Sequence, residues 1–353
     1  MIRIGVIGCG YWGPNLIRNF SSSEQYDLRA CCDLDQKRLL TMGKRYPALH
    51  LTREVSVILE NPAIDAVAIA TPLRTHYEVA KMALQNGKHV FVEKPMTATS
   101  EQAAELVELA EKQGRILMVD HIFVYTPVVR KIKELLDRGE LGDVYYYDSV
   151  RVNLGLFQHD VNVIWDLAIH DLSIIDFLFQ RLPSAVSALG MCHIGENGHE
   201  NIGYVTLMLG EALIAHIHVN WLAPVKVRTT LIGGSKKMIV YDDTEPSEKL
   251  KIYDKGVQVQ QGEGIYKTLI DYRTGDMYAP KLEQTEGLKI ALDHFAECIL
   301  NKKKPLTDGE SGLRIIRILE TIQRSIKNEG QIEHLRVPDA EIMKTLALGG
   351  RMP

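Results

Sequence analysis

The tightest constraint on the fold lies in the first twenty residues. Apolar Ile4, Val6 and Ile7 run straight into Gly8-Cys9-Gly10-Tyr11-Trp12-Gly13, and an amphipathic stretch, Asn15 to Phe20, follows. Strand, glycine turn and helix in this order open a βαβ unit, and the G-x-G-x-x-G spacing gives each glycine a task. Gly8 permits the tight turn, Gly10 lets backbone approach a pyrophosphate, and Gly13 lets the helix sit close on the strand. The helix N-terminus then offers unpaired N–H groups and partial positive charge to phosphates. A second apolar run, Leu28 to Cys32, ends in Asp33, twenty residues beyond Gly13, where a carboxylate can accept from both hydroxyls of a ribose. The pattern predicts a dinucleotide site. NAD is expected over NADP because Asp33 repels a 2′-phosphate, with Arg38 nearby as the residue that works the other way.

At 353 residues the chain exceeds one ordinary domain. The expected division is a dinucleotide-binding domain over 1–120, a substrate and oligomerisation domain over 121–335, and a tail over 336–353. A net charge of -4 with no basic stripe argues against nucleic-acid binding. No apolar run reaches the ~20 residues of a membrane span. The N-terminus enters a strand at once, so no signal peptide is expected. The five cysteines show no C-x-x-C spacing and read as small buried residues in a reducing compartment, so a cytoplasmic protein without a metal is expected.

Strand and helix signals alternate up to about residue 120. Ala66 to Ala70 is an apolar strand closed by Thr71-Pro72, and a helix over His76 to Asn86 ends at Gly87. His89 to Val92 is a strand closed by Glu93-Lys94-Pro95, and Thr99-Ser100-Glu101-Gln102 begins a helix that stops at Gly114. Such alternation predicts a doubly wound parallel sheet. Beyond Asp120 the pattern changes. Val144 to Asn153 alternates strictly, Leu167 to Phe179 reads as a helix, and Ser184 to Tyr253 reads mostly as consecutive strands, which suggests an antiparallel sheet. Residues 254–280 read as a long polar loop, and two apolar stripes, from Leu288 and from Leu313, as helices. The fold class is α/β followed by an α+β domain.

Ligands of an open parallel sheet bind beyond the carboxyl ends of its strands. Lys94 stands there directly after an apolar strand and before a proline, suited to stabilise a substrate oxygen as charge develops; a solvated strand-end lysine is the plain alternative. Asp166 and His170, four apart, would share one face of a helix. A carboxylate beside an imidazole raises its basicity, and histidine is the natural base for an alcohol proton, although a helix-end acid and a packed histidine would look the same. His216 and His218 share a strand face without an evident third ligand for a metal. His121, Gln158 and His159 are candidates to line a substrate pocket or simply to cap loops, and Arg151 and Asn153 project together from one strand, either to grip a phosphate or sugar hydroxyl or to face solvent.

With these residues in view, the chain resembles the Gfo/Idh/MocA oxidoreductase family from Ile2 to about Ile332. The likeness rests on the glycine turn, Ala70-Thr71-Pro72 with His76, Glu93-Lys94-Pro95, Gly139 to Val144, the Asp166/His170 pair, and Lys304 to Gly309. The resemblance implies a Rossmann domain, then an α+β domain whose large open antiparallel sheet forms a homo-oligomer interface. It also implies catalytic Lys94, Asp166 and His170, and a Lys94-Pro95 peptide that is often cis. Thr71, Pro72, His76, Glu93 and Lys94 join Gly8, Gly10, Tyr11, Trp12, Gly13, Asp33 and Arg38 as expected cofactor contacts. Two departures stand out: Val163-Ile164-Trp165 replaces a common Gly-Gly pair, and Ala168 replaces a common glycine. The tract from Arg151 to Asn162 is similar to a branch containing UDP-N-acetylglucosamine 3-dehydrogenases. The expectation is hydride transfer between NAD and a secondary alcohol of a UDP-linked amino sugar, with an inositol or free-sugar dehydrogenase as the enzymatic alternative. A non-catalytic NAD-binding sensor or scaffold is the alternative of another class.

Overall fold

The structure, a computed structural model, describes residues 1–155, 157, 160–195, 198–261 and 268–335. The chain divides into two compact units, Met1–Thr126 with Thr285–Arg317, and Pro127–Gln284 with Ile318–Pro353. The linear division expected from the sequence therefore differs at one place: residues 285–317 group with the N-terminal unit.

The first unit carries a six-stranded sheet of β1 (Ile2–Ile7), β2 (Tyr26–Cys32), β3 (His50–Thr52), β4 (Ala66–Ile69), β5 (His89–Glu93) and β6 (Leu117–Asp120). All pairs are parallel, in the order β3-β2-β1-β4-β5-β6. Helices α1 (Gly13–Ser22), α2 (Gln36–Arg45), α3 (Val55–Leu59), α4 (Leu73–Gln85) and α5 (Ser100–Gln113) are the crossovers. A parallel sheet covered on both faces needs continuous apolar strands, and Ala66–Ile69 and Leu117–Asp120 are buried at every position. The strand order reverses between β1 and β4, which fixes where a crevice opens at the carboxyl ends. As the capping box predicted, the Thr99 side chain accepts from Gln102 N–H at 3.3 Å, and Gly114 ends α5 at φ 60°. The outer edge of β6 is closed by Thr307, whose carbonyl accepts from Val119 N–H at 2.8 Å and whose hydroxyl donates to Val119 O at 2.7 Å.

The second unit begins with α6 (Pro127–Asp137) and β7 (Val144–Leu154). A π-helical turn (Ile164–Ala168) runs into α7 (Ile169–Phe179). The strands β8 (Ala185–Met191), β9 (Ile202–Leu209), β10 (Leu213–Asn220), β11 (Leu222–Gly234), β12 (Met238–Asp242), β13 (Leu250–Gln261) and β14 (Thr268–Tyr278) follow. After them come α8 (Gly287–Asn301), in the first unit, α9 (Gly309–Lys327) and β15 (Glu333–His334). The sheet has nine strands, ordered β14-β13-β12-β11-β7-β10-β9-β8-β15. It is mixed rather than wholly antiparallel. Strands β10 and β11 run in opposite directions, so β7, lying between them, is antiparallel to β11 and parallel to β10.

Residues 254–280 do not form the expected loop. Strands β13 and β14 make an antiparallel hairpin from Ile252↔Tyr278 to Gln261↔Thr268, while β12 pairs only with Leu250 to Tyr253. Beyond Tyr253 the hairpin pairs with no third strand among the described residues, and Gly256, Gly262, Gly264 and Gly275 give the stretch the look of a loop in sequence. The tail expected over 336–353 lies outside the described residues.

Candidate active site

In the first unit the glycine turn takes the form its spacing dictates. Gly8 has φ 99°, and a Cβ there would lie 2.4 Å from Ala70 O at the end of β4. A Cβ on Gly13 would lie 2.1 Å from Gly8 O, so the helix seat on the strand depends on glycine. Gly10 differs, since a Cβ there would meet only Arg38 Nη1, at 3.5 Å. The three positions divide into two that the fold needs and one that leaves backbone open to a ligand, which is the division a pyrophosphate cradle requires. Helix α1 has no acidic residue in its first turn to neutralise its N-terminal charge.

Asp33 ends β2 and holds this turn. One carboxylate oxygen accepts from Cys9 N–H at 2.7 Å and the other from Asp35 N–H at 2.8 Å. Arg38 Nη1 stands 3.7 Å from Asp33 Oδ2 and its Nε 3.7 Å from Asp35 Oδ2, on a half-exposed side chain. Tyr11 is 84% exposed. His76 is buried, with Nδ1 2.8 Å from Pro95 O and Nε2 2.7 Å from Thr71 O, so it links the turn after β4 to the turn after β5. Thr75 Oγ1 donates to Thr71 Oγ1 at 2.8 Å in the turn that Pro72 leads into α4. The Lys94-Pro95 peptide is cis.

The carboxyl ends of β5 and β6 bring Glu93, Lys94, Asp120 and His121 into one neighbourhood, with Glu93 and Asp120 as register partners. Burial pushes the Glu93 carboxyl well above the usual carboxylate range, and the adjacent Asp120 charge adds to it. Burial raises Asp120 too, against the hydrogen bonds from Glu93 and Trp12 that favour its anion. His121 is 1% exposed, and burial, aided by the Lys94 charge, lowers it to about 3, so its imidazole is neutral near pH 7. Neither ring nitrogen of His121 has a partner among the described residues. Asp120 was not singled out in the sequence, although it ends a strand as Asp33 and Glu93 do.

In the second unit, Asp166 lies in the π-helical turn and His170 in the first turn of α7. The expected single α-helical face is thus replaced by a widened turn, so the i,i+4 rule does not set this pair. Asn162 holds the turn. Its Oδ1 accepts from Ile164 N–H at 3.1 Å and Trp165 N–H at 3.0 Å, while its Nδ2 donates to Glu200 at 2.7 Å and Gln323 at 2.9 Å. An asparagine just ahead of an apolar turn is a capping signal that the sequence did carry. Trp221 Nε1 donates to Asp166 Oδ2 at 3.3 Å. Asp166 and His170 are both half-buried.

Arg151 departs from its expected place in a substrate pocket. It is 4% exposed and its Nε donates to Asp171 Oδ2 at 2.9 Å, because this face of β7 turns towards α7 rather than towards solvent. Tyr147 and Ser149 on the same face donate to Asp171 Oδ1 at 3.1 and 2.6 Å. Asn153 is half-buried further along the strand. Gln158 and His159 lie outside the described residues. His218 stacks on Tyr204 with ring centroids 4.4 Å apart, and His216 Nδ1 lies 3.1 Å from Thr206 Oγ1.

A doubly wound parallel sheet, a glycine cradle with its strand-end acid, and a lysine at the end of β5 define a dinucleotide-dependent enzyme. The family comparisons agree. Residues 2–121 match the NAD-binding Rossmann fold of the GFO_IDH_MocA oxidoreductase family and residues 129–240 match a C-terminal domain of the same family. The chain belongs to the Gfo/Idh/MocA family and is an NAD-binding oxidoreductase. It is 25% identical over 319 residues to UDP-N-acetylglucosamine 3-dehydrogenase of Acidithiobacillus ferrooxidans, covering 89% of this chain and 94% of that protein. It is 26% identical over 328 residues to scyllo-inositol 2-dehydrogenase (NAD(+)) of Bacillus subtilis, covering 89% and 91%. A solved structure of the Acidithiobacillus ferrooxidans enzyme superposes with a TM-score of 0.77 at 23% identity, covering 93% of this chain and 98% of that one.

Proposed function

We propose that the protein oxidises or reduces a secondary alcohol of a sugar, with a UDP-linked amino sugar oxidised at its 3-position as the preferred substrate. The observation that carries the reading is Lys94, set directly after β5 and beside the acid Glu93 at the carboxyl edge of a sheet whose glycine turn fits a dinucleotide. Gly8, Gly10, Tyr11, Trp12 and Gly13 hold the pyrophosphate region, Asp33 the adenosine ribose, and Thr71, Pro72, His76 and Glu93 the turns beside the nicotinamide half. When bound, NAD supplies the hydride acceptor or, reduced, the donor. Lys94 donates a hydrogen bond to the substrate oxygen and stabilises charge on it. His170 accepts the hydroxyl proton, and Asp166, held by Trp221, raises the basicity of the imidazole by stabilising its protonated form.

The sugar-nucleotide substrate is supported by the UDP-N-acetylglucosamine 3-dehydrogenase among the relatives matched over most of their length. Relatives named for scyllo-inositol and D-apiose make a cyclitol or free sugar the competing substrate class. The deciding experiment is a panel of UDP-sugars, inositols and free sugars incubated with purified protein and NAD, followed at the NADH absorbance. Turnover of UDP-N-acetylglucosamine but not of inositols supports the reading; turnover of inositols alone rejects it. A homo-oligomer is supported by the exposed face of the second sheet, where Leu189, Tyr204, Ile214 and Leu231 present apolar side chains to solvent. A reducing, cytoplasmic setting fits four buried free cysteines, Cys9, Cys31, Cys32 and Cys298.

A further inference from the structure

Strand β6 is the third strand from β1 across β4 and β5, about 14 Å away at ordinary strand spacing. Even so, the indole N–H of Trp12, from the turn that follows β1, donates to Asp120 Oδ2 at the end of β6, at 3.0 Å. The segment from Gly8 to the Trp12 indole therefore spans the ends of the two intervening strands, over the reversal point where a dinucleotide enters a sheet of this kind. A second observation concerns the other carboxyl oxygens. Asp120 Oδ1 and Glu93 Oε1 are buried, and no donor among the described residues reaches either. The two side chains are register partners on adjacent strands, and two buried carboxyl groups side by side are best accommodated with one proton between them.

We propose that Asp120 is a positioning residue of the dinucleotide site: through Trp12 it fixes the far end of the glycine turn to the edge strand, and Glu93 holds it there by a shared proton. The charges around the pair suit the arrangement. Lys94 adjoins Glu93 and favours one negative charge in the cluster, while neutral His121 adjoins Asp120 and brings no cation of its own. With the negative charge of the pair on Asp120 the indole donates to an anion, and such hydrogen bonds are stronger than neutral ones. The edge strand is itself held by Thr307 on its outer side, so the tether ends on a fixed point.

The test is NADH affinity, read from the fluorescence of the bound dinucleotide, for wild type, Asp120→Leu, Trp12→Phe, the double variant and Asp120→Asn. Wild-type binding tests the dinucleotide reading on its own. If the tether operates, Asp120→Leu and Trp12→Phe each raise Kd about tenfold. The double variant then weakens binding no further than about twofold beyond either single one, since both remove the same contact. Asp120→Asn stays within about threefold of wild type, because its amide oxygen still accepts from the indole. Wild-type affinity in Asp120→Leu, or multiplied losses in the double variant, overturns the proposal. Should Asp120→Leu not fold, Asp120→Ala takes its place in the same cycle with the same outcomes.

Discussion

The Arg151 guanidinium and the Asp171 carboxylate stand 2.9 Å apart with 4% and 0% of their side chains exposed. They join β7 to the helix that carries His170, one residue before Asp171. Tyr147 and Ser149 complete the acceptor's shell, so the carboxylate is compensated by one cation and two hydroxyls. Removing the cation alone leaves a buried anion. Arg151→Met is expected to cost about 3–5 kcal/mol in urea unfolding, whereas Arg151→Met combined with Asp171→Leu costs less than the single change. If Arg151→Met unfolds with wild-type stability while substrate affinity is lost, the residue binds substrate after all.

Two glycines of one turn are expected to fail in different ways. A Cβ at Gly13 would meet backbone, Gly8 O, at 2.1 Å, whereas at Gly10 it would meet only the flexible end of Arg38 at 3.5 Å. Gly13→Ala should lower stability by about 1–3 kcal/mol or more, since backbone must move. Gly10→Ala should unfold like wild type yet lose at least about tenfold in NAD affinity, a loss of about 1.4 kcal/mol at the pyrophosphate. Thermal unfolding and dinucleotide titration of both variants separate the two outcomes. Equal binding losses without a stability difference would contradict the division of roles.

How much of this was legible beforehand depends on where the information resides. Asp33 and Lys94 could be placed because an apolar strand and the punctuation after it locate a strand end locally. Asp120 obeys the same rule, and its partner Trp12 was visible, but their meeting three strands apart depends on strand order. Arg151 shows the opposite limit. Alternation along β7 put it on one face with Tyr147 and Ser149, yet only the position of α7 decides which face is inside. The π-helical turn around Asp166 was hidden because one wide turn does not disturb an apolar stripe enough to be read from spacing. The hairpin of β13 and β14 reads as a loop because glycines and polar residues run through it.

His121 provides a pH signature. Its folded imidazole titrates at about 3, against about 6.5 for an unperturbed histidine, so the unfolded chain binds more protons between those values. Stability then rises with pH: this contribution is complete above about pH 6.5 and is lost as pH falls towards 3. His89, lowered to about 4 by burial, acts in the same direction. Glu93, raised by burial, acts in the opposite direction above the unfolded carboxyl value, so the comparison must be made against a variant rather than from the absolute slope. Urea unfolding of wild type and His121→Asn from pH 4 to 7.5 should show the variant's slope flatter by up to about 1.4 kcal/mol per pH unit below pH 6. Parallel curves would mean that the His121 imidazole is protonated in the folded protein.

Lys94 and His170 should be separable from cofactor binding. Lys94→Ala removes an ammonium offered to the substrate oxygen, and His170→Asn removes the proposed base while keeping a polar side chain of similar reach. Each is expected to lower kcat about 10²–10⁴-fold with the best sugar substrate. NADH affinity should change much less in His170→Asn, because that residue is assigned to the substrate proton alone. Asp166→Asn should lower kcat less than His170→Asn and shift the acidic limb of its pH profile to lower pH, since it removes a supporting charge and leaves the base in place. Trp221 still has a carbonyl oxygen to donate to in that variant, so the turn itself should hold. Stopped-flow single turnover with pre-bound NAD isolates the chemical step from product release. Wild-type turnover rates in both Lys94→Ala and His170→Asn would place the chemistry on other residues and favour a cofactor-binding role without these two groups.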